Sequence, residues 1–122
     1  MSARVVVLAQ DLIWADRLAR AVKAAGAEPV RVASLPRFEE ALADIDAAVV
    51  DLTALAYDGV AAIQAATTAG VPVLAVGQHD DHELRKRALA AGADRVYAYL
   101  KLFEDGPATI AAWLGRPVEI GS

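Results

Sequence analysis

The chain repeats one pattern five times: a short apolar run, followed by a segment in which apolar residues recur at helical spacing. Runs of this length, rich in β-branched residues, predict strands that are buried on both faces. Strands that alternate with helices predict parallel pairing, because each crossover helix returns the chain to the same end of the sheet. The predicted strands are residues 4–9, 29–33, 46–51, 72–76 and 96–100. The sequence therefore predicts an α/β protein, a three-layer, doubly wound, five-stranded parallel sheet.

Five strands in a chain of 122 residues favour the flavodoxin-like strand order 2-1-3-4-5. In that order the first and third strands flank the point where strand order reverses, which is where ligands bind in open α/β sheets. Capping residues mark the predicted helix starts. They are Ser34 for the second helix, Asp58 for the third and Asp80 for the fourth, and Gly106-Pro107 begins the last helix.

The composition of the chain excludes several classes of protein and of chemistry. We predict one domain over residues 1–122, with a core at 4–114 and a loose tail at 115–122. The absence of cysteine excludes thiolate chemistry and disulfides. A net charge of -4 with scattered basic residues argues against binding nucleic acid through a basic face. No apolar run approaches the ~18 residues of a membrane span, so we expect a cytoplasmic protein without a membrane partner.

Asp51 is the first candidate for a functional residue. It ends the apolar third strand, where packing gives no reason for a carboxylate. Gln10 and Asp11 follow the first strand, so the predicted order brings them to the same cleft as Asp51. Asp11 has two interpretations that do not exclude each other: it joins Asp51 in binding a divalent cation, or it caps the helix that begins at Leu12.

Over residues 4–114 the chain resembles the receiver domain of bacterial two-component response regulators. The resemblance depends on Asp51-Leu52 with Asp58-Gly59 at the family's spacing, on Pro72-Val73-Leu74, and on Gly92-Ala93-Asp94. It implies that Asp51 is a phosphoacceptor. It also implies two acids after the first strand that hold Mg²⁺, a Ser/Thr after the fourth strand and a Lys after the fifth.

The chain departs from that pattern at most of these positions. The positions of the family's two acids fall on Gln10 and Asp11, or on Ala9 and Gln10 if the alignment contains no bulge. The Ser/Thr position falls on Gly77, beside Gln78, and the lysine position falls on Tyr99. Lys101 lies two residues further on, and the sequence leaves open whether it replaces the missing lysine.

The chain therefore resembles a degenerate receiver, or pseudo-receiver, with a site rim formed by Gln10, Gly77, Gln78, Tyr99 and Lys101. We expect no catalytic residue and no required cofactor, and only weak Mg²⁺ binding, if any, at Asp11 and Asp51.

Two pairs of large side chains are candidates for binding a partner. Helical spacing turns Ile13 away from the core and puts Trp14 at its margin, which is typical of a contact surface. The alternative for Trp14 is a lid over the site. Tyr97 and Tyr99 alternate with apolar residues and are predicted to share one face of the outer strand.

Our preferred interpretation is a stand-alone pseudo-receiver signalling module that is not an enzyme. It would act by binding a protein partner in trans or by forming a homodimer. One alternative is a receiver phosphorylated on Asp51 by a histidine kinase. A third is a flavodoxin-like domain that binds a small ligand in the same cleft, although no Gly-rich phosphate loop follows the first strand.

Overall fold

A computed structural model describes residues 3–115 as a parallel sheet with helices on both faces. Within these residues the sheet has five strands in the order β2-β1-β3-β4-β5, so the predicted fold and strand order are confirmed. The elements are β1 (Arg4–Leu8), α1 (Leu12–Ala24), β2 (Glu28–Val32), α2 (Leu35–Ala41), β3 (Ala47–Asp51), α3 (Gly59–Thr68), β4 (Val73–Gly77), α4 (His82–Ala91), β5 (Arg95–Ala98) and α5 (Tyr99–Gly115). A short 3-10 turn, Leu42–Asp44, follows α2.

The core lies in two layers, one on each face of the sheet. Val5 and Val7 pack with Leu18 in the layer under α1 and α5, whereas Val6 and Leu8 pack in the layer under α2, α3 and α4. This division follows from the strand repeat, in which successive side chains point to opposite faces. Because both faces are covered, β3 is buried along its whole length, which explains its unbroken apolar sequence.

Most helices begin where their capping residues predict. Ser34 and Asp58 cap α2 and α3, and the predicted inward face of α1 is buried. The predicted cap of α4 is wrong by one residue: the Asp81 carboxylate, not Asp80, accepts the Leu84 N–H at 3.1 Å. The helix starts at His82, so Leu84 is its third residue, whose N–H an N-cap side chain reaches. No helix in the described part of the chain is long and apolar enough to span a membrane.

The last strand and helix differ from the prediction. β5 ends at Ala98, which pairs with the last residue of β4, Gly77, so no partner residue remains to extend it. Tyr99 therefore begins α5, and the prediction that Tyr97 and Tyr99 share one strand face is wrong. The predicted start at Gly106 corresponds to a kink within α5, at Asp105 (φ −130°, ψ 30°), just before Pro107. Gly115 is still helical, and the remainder of the predicted tail lies outside the described residues.

Gly92, which ends α4, provides a test of the packing between α4 and α3. Its φ is +117°, and a Cβ there would overlap the Thr67 hydroxyl and lie 2.7 Å from Thr67 Cγ2. Gly26 has a φ of +93°, but a Cβ there meets open space among the described residues. We expect Gly26→Ala to lower the free energy of unfolding by about 1–2 kcal/mol, the cost of the left-handed conformation. Gly92→Ala should cost at least about 1 kcal/mol more, because overpacking is added.

Urea denaturation of the two glycine variants measures this difference. Adding Thr67→Ala to Gly92→Ala should recover part of the excess. Equal losses in the free energy of unfolding for Gly26→Ala and Gly92→Ala would show that α3 accommodates the added methyl group without a loss of stability.

Candidate functional site

Asp51 closes β3 and is only 1% exposed. Its Oδ1 accepts hydrogen bonds from the Thr53 N–H at 3.0 Å, from the Thr53 hydroxyl at 2.9 Å, and from the Tyr99 hydroxyl. The Thr53 and Tyr99 hydroxyl oxygens also contact each other. A carboxylate buried this deeply is tolerated only when donors replace its lost water. Three uncharged donors thus replace water at the Asp51 Oδ1.

Tyr99 occupies the position where the family resemblance implies a lysine. Burial, and then the hydrogen bond to Asp51, raise the pKa of the Tyr99 phenol far above its usual value. Tyr99 is therefore a neutral, protonated donor at physiological pH. At this position the site therefore offers Asp51 an uncharged phenol with one hydroxyl group.

Tyr57 holds the ends of β1 and β3 together from the opposite side of the sheet. Its hydroxyl lies 2.7 Å from the Asp51 carbonyl oxygen and 3.1 Å from the Leu8 carbonyl oxygen, so its one proton is shared between them. Burial is the main cause that raises the pKa of Tyr57, and the charge of Asp51 adds to it. Sequence reasoning missed both Tyr57 and Thr53. The only available signal was their position in the loop that follows an acid-terminated strand.

Gln10 and Asp11 lie at the same end of the sheet as Asp51, as predicted, but both side chains already accept hydrogen bonds from backbone N–H groups. The Gln10 Oε1 accepts the N–H groups of Leu55 and Ala56 at 3.0 and 3.2 Å, which fixes the loop after β3. Asp11 Oδ1 accepts the N–H groups of Ile13 and Trp14 at 2.9 and 3.0 Å and so caps α1. The structure therefore shows the capping interpretation of Asp11.

This donor set fits Mg²⁺ poorly. Mg²⁺ requires octahedral oxygen ligands, usually one or two carboxylates with several waters. Here the Gln10 oxygen and one oxygen of each carboxylate already accept protein donors. Among residues 3–115, no group of three or more acidic, histidine or cysteine side chains could hold a metal ion.

The other rim residues lie along a groove beside the site. Gly77, Gln78, Tyr99 and Lys101 line this groove, which has a volume of about 480 Å³. The Lys101 ammonium lies 3.9 Å from the Asp105 carboxylate, one turn along α5. Tyr99, and not Lys101, is thus the residue after β5 that donates to Asp51.

Trp14 covers the hydrogen-bonded pair. Its ring lies 4.3 Å from the Tyr99 ring, centroid to centroid, with the planes tilted by 38°. The Arg17 guanidinium lies 5.5 Å from the Trp14 ring centroid and 4.5 Å from that of Phe103. The lid interpretation of Trp14 is thus supported by its position. Tyr97 is half-buried and packs in the same apolar layer.

A group of large apolar side chains that follow strand ends on the Asp51 side of the sheet is exposed to solvent. Ile13 is 71% exposed, as its helical position predicts. The other members also follow β1, β3 and β5, and the group, here called the site-end patch, consists of Leu12, Ile13, Leu55, Leu100 and Phe103. Among residues 3–115, the one other exposed large apolar side chain is Leu89, on α4. The exposed apolar surface is therefore concentrated at the closed site.

No family model and no curated protein matches the chain. Solved structures do. A two-component response regulator from Clostridium difficile superposes with a TM-score of 0.83 at 13% identity, covering 97% of this chain and 100% of that one. A putative response regulator from Chloroflexus aurantiacus J-10-fl gives 0.78 at 21% identity, with 94% and 96% covered. A CheY-like receiver domain protein from Methanospirillum hungatei JF-1 gives 0.75 at 16% identity, with 96% and 100% covered.

The two tyrosines with raised pKa predict how stability depends on alkaline pH. Below pH about 10 a tyrosine is protonated in both the folded and the unfolded chain. Above that pH the unfolded chain releases the Tyr57 and Tyr99 protons while the folded chain retains them, so stability falls as pH rises. We expect Tyr99→Phe to make this fall less steep. At pH 7 it should cost about 1–3 kcal/mol, because a buried acceptor loses its donor.

Denaturant unfolding between pH 7 and 11 measures both effects. Tyr97→Phe is the matched control, since within residues 3–115 its hydroxyl makes no hydrogen bond, and it should keep the wild-type slope. If Tyr97→Phe and Tyr99→Phe flattened the curve equally, the hydrogen bond to Asp51 would not be the cause.

Proposed function

We propose that this chain, a protein with the receiver fold, is a pseudo-receiver: a signalling module that binds a protein partner and does not use phosphotransfer chemistry. The observation that carries the proposal is the closed site. Asp51 is 1% exposed and accepts hydrogen bonds from Thr53 and Tyr99, and the Trp14 ring packs against the Tyr99 ring. A phosphodonor reaches the carboxylate only if this arrangement opens.

The groups that stabilise phosphoryl transfer are also replaced. Transfer needs positive charge near the equatorial oxygens of the phosphoryl group, supplied by a metal ion and an ammonium group. Here Tyr99 is neutral and Lys101 is paired with Asp105. Gly77 has no side chain to contact a phosphoryl group. We therefore propose that Mg²⁺ binds weakly at most and that Asp51 has a structural role.

A fixed site also removes the basis for a phosphorylation switch. A modification shifts a population only if the two conformations contact it differently. With no hydroxyl at residue 77 and no cation bonded to Asp51, little in the site distinguishes the phosphorylated state. The site-end patch is instead available permanently. Exposed apolar surface of this kind is typical of protein interfaces, and the partner is a protein in trans or a second copy of the chain.

Phosphorylation by a small donor tests the closed site directly. We expect little or no phosphorylation of the wild type by acetyl phosphate with Mg²⁺, measured by intact-protein mass. A variant with Gly77→Ser and Tyr99→Lys should be phosphorylated more, because it regains a hydroxyl and a cation. A Cβ at Gly77 would make ordinary contact with Leu52, at 3.6 Å, so the serine fits. Rapid phosphorylation of the wild type that Asp51→Asn abolishes would favour the phosphoacceptor alternative.

Partner capture from a cell lysate tests the binding surface. Ile13→Ala and Trp14→Ala should weaken capture several-fold, since contact residues in an apolar patch contribute most to binding. Asp51→Asn should leave it unchanged, because an amide oxygen accepts from the same donors. Leu89→Ala is the matched control, since Leu89 is 43% exposed on α4, away from the site-end patch. Capture that requires Asp51 and a phosphodonor, but not Trp14, would contradict the proposal.

A further inference from the structure

A groove of about 550 Å³ opens between α1 and α5 beside the closed site. Its apolar lining includes Leu12, Ile13 and Phe103, three of the four members of the site-end patch that lie on these two helices. Both of its walls are helices, and the sheet edges, β2 and β5, lie elsewhere. Grooves of this kind receive the apolar face of a helix, whereas an extended peptide binds by adding to a sheet edge.

The backbone gives this groove a fixed shape. The helices approach closely at Gly106, where an added Cβ would lie 3.2 Å from Ala21 Cβ. α5 is kinked at Asp105, between Phe103 and Pro107, which both line the groove. A site that is already formed loses little conformational entropy on binding, which favours affinity.

The charges at the groove differ in sign from the charge of the whole chain. The chain carries a net charge of -4, yet Arg17 and Arg20 line the groove with a single carboxylate, Asp16. That carboxylate already accepts from Arg20 at 2.7 Å, with Arg31 at 3.7 Å. The groove therefore has uncompensated positive charge.

The uncompensated positive charge of the groove lies on Arg17. Within residues 3–115 its guanidinium has no carboxylate partner, and it lies against the rings of Trp14 and Phe103. Stacking of this kind fixes the guanidinium plane, whose N–H groups bind a carboxylate in two places at once. A positioned, unpaired arginine beside an apolar groove selects a partner with a carboxylate next to an apolar anchor.

We propose that the groove between α1 and α5 binds an acidic amphipathic helix of the partner protein. Apolar side chains on one face of this helix enter the groove, and a flanking Glu or Asp pairs with Arg17. This inference rests on the proposed function and names the partner's chemistry. An anionic lipid surface fits less well, because membrane binding uses clusters of four to eight basic residues. A second copy of the chain would have to bring its own excess of arginines to the same groove.

Two labelled peptides of equal length test the proposal. Both carry leucine at the first and fourth positions of each heptad, and one has glutamate beside each leucine where the other has glutamine. By fluorescence anisotropy, the glutamate peptide should bind the full chain about tenfold more tightly, the scale of one charge-assisted hydrogen bond. Added salt should reduce the difference. Arg17→Gln should remove it, whereas Arg37→Gln, an exposed arginine on α2, should not.

Several outcomes would contradict the proposal that the groove binds an acidic helix. Equal affinity for the two peptides is one, and a preference that Arg17→Gln leaves intact is another. Binding to phosphatidylglycerol vesicles but to neither peptide would indicate a lipid surface. Concentration-dependent dimerisation that Ile13→Ala and Arg17→Gln both abolish, without peptide binding, would indicate a second copy.

The same reagents separate this inference from the proposed function. If lysate capture requires Ile13 and Trp14 but is neither competed by the glutamate peptide nor weakened by Arg17→Gln, partner binding stands and the acidic helix is wrong. If Ile13→Ala and Trp14→Ala leave capture unchanged, the proposed function is wrong, even if the glutamate peptide binds through Arg17.

Discussion

The hydrogen bond between the Tyr99 hydroxyl and the buried Asp51 carboxylate is the interaction on which the site depends. It joins the end of β3 to the first residue of α5, across 48 residues of sequence. Without that donor, a carboxylate buried to 1% exposure would keep only the donors of Thr53. The bond therefore sets the chemistry at the end of the cleft, whereas the end of the β4–β5 pairing sets where α5 begins.

Replacing a lysine by a tyrosine at this position changes the type of site. An ammonium group on a flexible stem moves to wherever negative charge develops. A phenol that is half-buried, and whose pKa is raised by burial and by Asp51, stays neutral and in place. Tyr57 reinforces this rigidity, because its hydroxyl bridges the carbonyl groups at the ends of β1 and β3. The carboxylate at the end of β3 is thus part of the packed structure.

The closed site also shapes the outer surface. The ring of Tyr99 supports Trp14, Trp14 contacts Arg17, and Arg17 contacts Phe103. A continuous series of contacts thus leads from the buried carboxylate to an exposed patch of apolar side chains. Side chains that are already packed against one another lose less conformational entropy when another molecule contacts them.

The sequence by itself determined the sheet, its strand order, the helices on both of its faces and the caps at Ser34 and Asp58, and it gave the cap at Asp11 as one of two interpretations. These features depend on short-range regularities: the two-residue repeat of strands, the helical spacing of apolar residues, and hydrogen bonds that reach two or three residues along the chain. Only the tertiary structure decided that β5 stops at Ala98, that Tyr99 turns onto Asp51, and that Thr53 and Tyr57 complete the site. Each of these depends on which distant groups strand pairing brings within hydrogen-bonding distance, and no local pattern records that distance.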